Sequence, residues 1–118
     1  MGNPNLTNGF LRSLASGNNP DFAAAVSPFN RSGSQYLVIT GAHDYTGPHS
    51  IRVNSVSEGS VVKSLSGRPG NGIVSIGSLA GAHYFNGRLY SLIVRGAQTT
   101  LSQIEATELY IKQKMRMP

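Results

Sequence analysis

The segment that leads from Phe85 through a long apolar stretch to Gly96 constrains the fold of this 118-residue chain more than any other part. An Asn-Gly step follows Phe85, and residues 87–95 then carry leucine, isoleucine, valine and tyrosine, most of which favour β-strands. Gly96 ends the apolar stretch, and a helix signal begins a few residues later. This order predicts a strand over residues 87–95 that passes directly into a C-terminal helix.

A capped helix closes the chain. Thr100 is a suitable N-cap, and Gln103 three residues later completes a capping box. We predict a helix over residues 100–115, with its apolar side chains on one face at helical spacing. These side chains are Leu101, Ile104, Ile111 and Met115. Because they need an apolar surface to cover, the helix is expected to pack on the sheet.

Glu108 lies in the middle of that apolar helix face, where a carboxylate needs a partner. The predicted final strand carries two arginines, Arg88 and Arg95. We therefore expect Glu108 to form an ion pair with one of these two arginines.

Short β-prone segments separated by turn residues fill the rest of the chain. Besides 87–95, we predict strands over residues 10–15, 22–26, 35–40, 50–56, 61–65 and 72–77. About seven short strands predict a mostly β protein, an antiparallel β-sandwich with a C-terminal α-helix. Residues 1–118 are expected to form a single domain, in which residues 1–9 are a loosely held N-terminal segment.

Composition excludes a disordered chain, a membrane span and a disulfide-based fold. Hydrophobic residues make up 39% of the chain and are spread too evenly for a membrane-spanning helix. The sequence has no cysteine, so neither disulfides nor thiolate metal sites can form. The residues after Met1 lack the basic and then apolar pattern of a signal peptide. These features are compatible with the cytosol and with a virion protein assembled there.

The basic residues are scattered along the chain, although the formal net charge is +5. Lys112, Lys114 and Arg116 form the only cluster, at the end of the predicted helix. Cations at this position complement the helix dipole. A nucleic-acid reader instead gathers its basic side chains on one face, so we expect no nucleic-acid partner.

Several segments in order resemble the concanavalin A-like, laminin-G-like jelly-roll modules of phage and prophage tail-associated proteins. The resemblance covers the chain from about Tyr36 onward. Ser55 stands where these modules usually have a glycine. The segments that carry the resemblance are Ile51–Val56, Ile73–Gly77, Phe85–Val94 and Gln103–Ile111.

This resemblance implies a jelly-roll β-sandwich, although the chain is short for a complete one. The opening strands would then be missing or supplied by a partner. The resemblance also implies a non-catalytic recognition module that binds cell-surface carbohydrate. The alternative is a structural or oligomerisation module of a tail fibre with no ligand of its own. We expect a phage-tail location, or the bacterial cytoplasm before assembly, and a homo-oligomer, a trimer by analogy with such fibres.

The acidic residues do not form a catalytic pair. Glycosidases of this fold class need two positioned carboxylates, but the chain has five acidic residues and none of its predicted strands carries two. We therefore predict no enzymatic activity and no cofactor. His43, Asp44 and His49 are close enough in sequence to suggest zinc, but ordinary polar loop residues explain this spacing, and we predict no metal site.

Carbohydrate binding needs only an aromatic ring to stack on a sugar and a few polar side chains. The predicted loop Ala42–His49 offers Tyr45 for stacking and both Asp44 and His49 for hydrogen bonding. His83 and Tyr84, just before the Phe85 turn, are the second choice. Alternatively, the two tyrosines simply cover the ends of the sandwich.

Overall fold

The computed structural model describes residues 11–18, 21–31, 36–67, 87–97 and 99–117. Within these ranges the protein is mostly β, with antiparallel strands and one C-terminal helix, as predicted. The elements are β1 Arg12–Ser16, β2 Phe22–Val26, β3 Ile39–His43, β4 Pro48–Val53, β5 Val56–Val62 and α1 Leu101–Lys114. The predicted strand 72–77 and the predicted site residues His83 and Tyr84 lie outside the described residues.

The strands form two antiparallel sheets. β1 and β2 pair along their whole length, from Arg12 opposite Val26 to Ser16 opposite Phe22. The second sheet has the order β3-β4-β5, with His43 of β3 directly opposite His49 of β4. Within each sheet, strands that pair are joined by short connections of two to five residues, which is the usual way to build antiparallel sheets.

Small residues let the β1–β2 hairpin lie close against the three-stranded sheet. Ala15, Ala23 and Ala25 of the hairpin are buried. A Cβ at Gly41 of β3 would overlap the Ser13 hydroxyl, and a Cβ at Gly59 of β5 would overlap the Val26 carbonyl. Ala25 belongs to the same buried cluster as Ile51 and Val53 of β4. The close approach of the two sheets therefore depends on the lack of side chains at these two glycines as much as on the packing of the buried residues.

A polar cluster fixes the end of β2 to β5. Ser27 is fully buried, and its hydroxyl donates to Glu58 Oε1 over 2.8 Å. Arg31 donates to the Ser27 hydroxyl over 2.9 Å and forms an ion pair with Glu58. Each buried polar group thus has a partner, which removes the cost of burying it.

A tight turn at Asn54 and Ser55 joins β4 to β5. Both residues have positive φ, at 50° and 69°, which is the signature of the type I′ turn that suits the twist of a hairpin. This turn divides the predicted strand 50–56 in two. The predicted strand 61–65 is wrong in its bounds, because β5 already begins at Val56 and ends at Val62.

The helix begins at the predicted capping box, and its bounds Leu101–Lys114 lie within one residue of the predicted range 100–115. The Thr100 side chain accepts from the Gln103 N–H, and the Gln103 side chain accepts from the Thr100 N–H, so the capping box is confirmed. The predicted apolar face is confirmed less well, because Leu101 is 56% exposed. No helix among the described residues has the length and apolar character needed to cross a membrane.

A buried ion pair attaches the helix to the outer face of the three-stranded sheet. Glu108 is 2% exposed and accepts two hydrogen bonds from Arg52 of β4, at 2.9 and 3.0 Å. Thr40 of β3, which is opposite Arg52 in the sheet, donates a third at 2.7 Å. The prediction that Glu108 pairs with an arginine is confirmed, but the predicted partners Arg88 and Arg95 are wrong. Arg52 is the residue that the sheet register places beneath the helix.

Residues 87–95 are not a strand in the structure, contrary to the prediction. A strand requires a neighbour that accepts and donates its backbone hydrogen bonds. No strand within the described ranges pairs with this segment. Its apolar side chains are instead exposed, from 47% at Ile93 to 82% at Val94.

Candidate functional site

Two histidines and a serine lie close together where the β1–β2 hairpin packs on the three-stranded sheet. His43 ends β3 and His49 lies in β4, and the register makes them direct cross-strand neighbours whose ring centroids are 5.2 Å apart. Ser13 reaches them from β1 because Gly41, the residue that faces it on β3, has no side chain. The cluster thus depends on the packing of two sheets.

Three hydrogen bonds link these groups into one chain. Ser13 Oγ lies 2.6 Å from His43 Nε2, and His43 Nδ1 lies 3.0 Å from His49 Nδ1. His49 Nε2 lies 2.8 Å from the Lys63 carbonyl oxygen. We name this chain the serine–histidine relay, with Ser13, His43 and His49 as its members.

The carbonyl at one end fixes the proton positions along the relay. A carbonyl oxygen only accepts, so the proton of neutral His49 is on Nε2 and its Nδ1 is an acceptor. His43 must then donate through Nδ1, which leaves its Nε2 as an acceptor for the Ser13 hydroxyl. This assignment follows from the hydrogen-bond partners, since the protons themselves are inferred. The Ser13 hydroxyl therefore faces the lone pair of a base.

Burial differs along the relay. His49 is fully buried, whereas Ser13 and His43 are partly exposed. Burial lowers the pKa of His43 below its ordinary value of 6.5, and the neighbouring His49 lowers it further. His43 is therefore neutral near pH 7 and can accept a proton from a hydroxyl.

The same two histidines do not form a metal site with Asp44. No group of three or more histidine, aspartate or glutamate side chains in the described part of the chain could hold a metal ion. The two Nδ1 atoms face each other through a hydrogen bond. Asp44 Oδ1 instead accepts from the backbone N–H and the hydroxyl of Thr46.

The predicted carbohydrate loop is a compact hairpin turn. β3 extends to His43 and β4 begins at Pro48, so only residues 44–47 connect them. Asp44 caps this turn, and Gly47 N–H donates to the Asp44 carbonyl. The Tyr45 hydroxyl donates to the Ser16 carbonyl over 2.6 Å. Tyr45 also packs against the buried cluster formed by Ala15, Ala23 and Leu65.

Asp44 and Tyr45 lie together in the turn between β3 and β4, whereas His49 lies within β4 and is buried. His49 is 0% exposed, and both of its ring nitrogens are bonded within the chain. Both nitrogens that the predicted hydrogen bonding to a sugar would use thus have partners within the chain. Ser13 was not identified from the sequence, because a contact across 30 residues leaves no local pattern.

A second surface of interest is the apolar segment 89–94. Leu89, Tyr90, Leu92, Ile93 and Val94 are each about half exposed or more. The ring of Tyr36, which is 72% exposed, lies 6.5 Å from that of Tyr90 and extends the surface. We name these five residues and Tyr36 the apolar strip. Contiguous apolar surface of this kind marks interaction sites on soluble proteins.

Positive charge flanks the apolar strip at both ends. Arg88 and Arg95 are exposed, and neither forms an ion pair with another described residue. The acidic side chains of the chain are largely engaged elsewhere. Those with internal partners are Asp21 with Lys63, Asp44 with Thr46, Glu58 with Arg31 and Glu108 with Arg52.

Comparison of the chain with protein-family models, with curated proteins and with solved structures finds no match.

Proposed function

We propose that the chain is an interaction module whose apolar strip docks on another protein of the assembly to which it belongs. The resemblance to modules of phage tail-associated proteins suggests that this assembly is a phage or prophage tail. It also suggests that the two sheets are layers of a jelly-roll β-sandwich. The proposal rests on the exposure of the apolar strip, which the described fold leaves uncovered.

The geometry supports docking by strand addition. Residues 89–94 carry β-prone side chains, and no described strand uses their backbone hydrogen-bonding groups. An extended segment of a partner that pairs with them would satisfy these groups and cover the side chains together. Burial of one such side chain contributes on the order of 1.5–3 kcal/mol before the cost of association is subtracted.

The charges favour a partner other than a second copy. Two copies paired antiparallel about the middle of the strip would place Arg88 opposite Arg95, and two in parallel would place each arginine opposite itself. Like charges directly opposite in a sheet are destabilising. The chain carries ten basic residues against five acidic ones, and most of its carboxylates are engaged. The fitting partner is an apolar, β-prone segment with a carboxylate at each end.

A pair of synthetic peptides tests the proposal. Both contain the same apolar, β-prone centre, one flanked by glutamates and the other by lysines. We expect the glutamate peptide to bind, and its affinity to fall steeply as salt rises. The Arg88→Glu, Arg95→Glu double variant should prefer the lysine peptide. Val62→Asp, at an 80% exposed position on β5, is the matched control and should leave binding unchanged.

The outcomes separate the proposal from its alternatives. Equal binding of both peptides, or no response to Leu92→Asp, would show that the strip is not the docking surface. Light scattering on the chain alone tests the expected homo-oligomer. Association that Leu92→Asp abolishes would show that a second copy covers the strip.

Carbohydrate binding at the turn 44–47 is a separate proposal. Its support is that Asp44 and Tyr45 lie together at the end of the β3–β4 hairpin and are both partly exposed. A glycan array with Tyr45→Phe and Tyr45→Ala tests it. Stacking requires the ring alone, so the phenylalanine variant should bind as the parent chain does and the alanine variant should not. Tyr36→Ala, on the apolar strip, is the control.

A further inference from the structure

We propose that Ser13 is a nucleophile, activated by His43, that accepts an acyl group from small activated esters. The inference is independent of the apolar strip. It rests on the serine–histidine relay, which orders a hydroxyl, a base and a group that orients the base over three consecutive hydrogen bonds. This is the arrangement by which a weakly acidic serine becomes reactive.

The relay has the polarity that nucleophilic attack requires. The Lys63 carbonyl fixes the His49 tautomer, and His49 in turn fixes that of His43. The lone pair of His43 Nε2 consequently points at the Ser13 hydroxyl, 2.6 Å away. The reverse order, in which Ser13 would accept a proton from His43, is excluded as long as both rings are neutral.

The exposure of the three side chains of the relay also suits an acyl transfer to Ser13. Ser13 and His43 are both partly exposed, and the proposal requires that a small ester reach the hydroxyl from this exposed side. His49 is fully buried and acts as a positioning residue that holds His43 in place. Gly41 makes room for the Ser13 hydroxyl itself, because any side chain at this position would overlap it.

The reaction is an acyl transfer. The Ser13 oxygen forms a bond to the acyl carbon, and the bond from that carbon to the leaving oxygen breaks. The serine proton moves to His43 Nε2 and then to the leaving group, so that the ester is exchanged for an acyl-serine and an alcohol. Because His49 is an imidazole and not a carboxylate, it orients His43 but stabilises its positive charge little. We therefore expect one acylation per chain and slow release of the acyl group.

The test is incubation with p-nitrophenyl acetate, followed by peptide mapping by mass spectrometry. We expect a burst of nitrophenolate of one equivalent and a single acetyl group on Ser13. Ser13→Ala should lose both, whereas Ser60→Ala, at an exposed serine of β5, should keep both. His43→Gln should slow acylation about 100-fold, the lower end of the contribution of a general base.

The pH profile distinguishes a relay from a merely structural contact. Burial lowers the pKa of His43 most, and among the described residues His49 is the titratable neighbour that lowers it further. Acylation should therefore rise with pH as His43 loses its proton, with a midpoint below 6.5. His49→Gln should move this midpoint upward. If Ser13 of the unchanged protein is not acetylated, or if His43→Gln is acetylated at the parent rate, the proposal is wrong. Circular dichroism of each variant confirms that it is folded.

Discussion

Glu108→Gln tests the contact that attaches the helix to the sheet. The carboxylate is 2% exposed and the side chain of Arg52 is 9% exposed, so solvent screens the pair very little. The glutamine keeps the size of the side chain but leaves the guanidinium buried without a countercharge. Removal of one partner from a buried pair costs about 3–5 kcal/mol. This is a large part of the roughly 5–15 kcal/mol that stabilises a typical domain.

The assay is chemical and thermal unfolding, followed by circular dichroism. For a domain of this size, we expect the midpoint of thermal unfolding to fall by about 10–20 °C. Arg52→Met and the double variant complete a thermodynamic cycle. The double variant should be more stable than the sum of the single changes predicts, because it leaves neither charge buried alone.

The pH dependence provides an independent check. Burial alone would raise the pKa of Glu108, but hydrogen bonds from Arg52 and Thr40 outweigh it and hold the pKa below 4.5. The stabilisation is therefore fully present above pH 4.5 and is lost as the pH falls through the lower pKa of the folded state. If Glu108→Gln unfolds like the parent chain at neutral pH, the carboxylate is solvated and the attachment is wrongly assigned.

Three further changes test the packing of the sheets and the helix. Gly59→Ala should destabilise the protein by about 1–3 kcal/mol in urea unfolding, because the new methyl group would overlap the Val26 backbone. Backbone atoms cannot move aside as a flexible side chain can. Unchanged stability would show that the two sheets lie further apart than the structure places them. Thr100→Ala should cost about 1 kcal/mol through the lost cap, and Thr100→Ser, which keeps the hydroxyl, should cost little. Acidification below pH 6.5 should destabilise the protein, because His43 has a lower pKa in the folded chain than in the unfolded chain and so binds a proton less readily when folded. His43→Gln should flatten this part of the stability curve, and an unchanged slope would assign it to another group.

The sequence predicted those elements whose signals are local. The start of the helix followed from Thr100 and Gln103, which lie three residues apart and satisfy each other. Strand 22–26 was predicted with its observed bounds, since a run of apolar residues between turn residues needs no distant information. The pairing of Glu108 was also predictable, because its place within an apolar pattern demands a partner.

Features that depend on distant contacts were not predictable in the same way. The partner of Glu108 was assigned to the strand nearest in sequence, whereas the register of β3 and β4 brings Arg52 from 56 residues away. Residues 87–95 have strand composition, but composition does not provide the neighbouring strand that a ladder requires. Ser13 had no signal at all, since its contact with His43 exists only when the hairpin docks.

The described core is small, and this changes which substitutions should matter most. Its buried apolar residues are Ala15, Ala23, Ala25, Val38, Ile51, Val53 and Leu65. Alanines lose little when truncated, because a cavity of one methyl group costs only about 1 kcal/mol. The buried polar contacts are the opposite case, since each leaves a charged or polar partner unsatisfied when it is broken. We therefore expect Ala25→Gly to be milder than Glu108→Gln or Glu58→Gln.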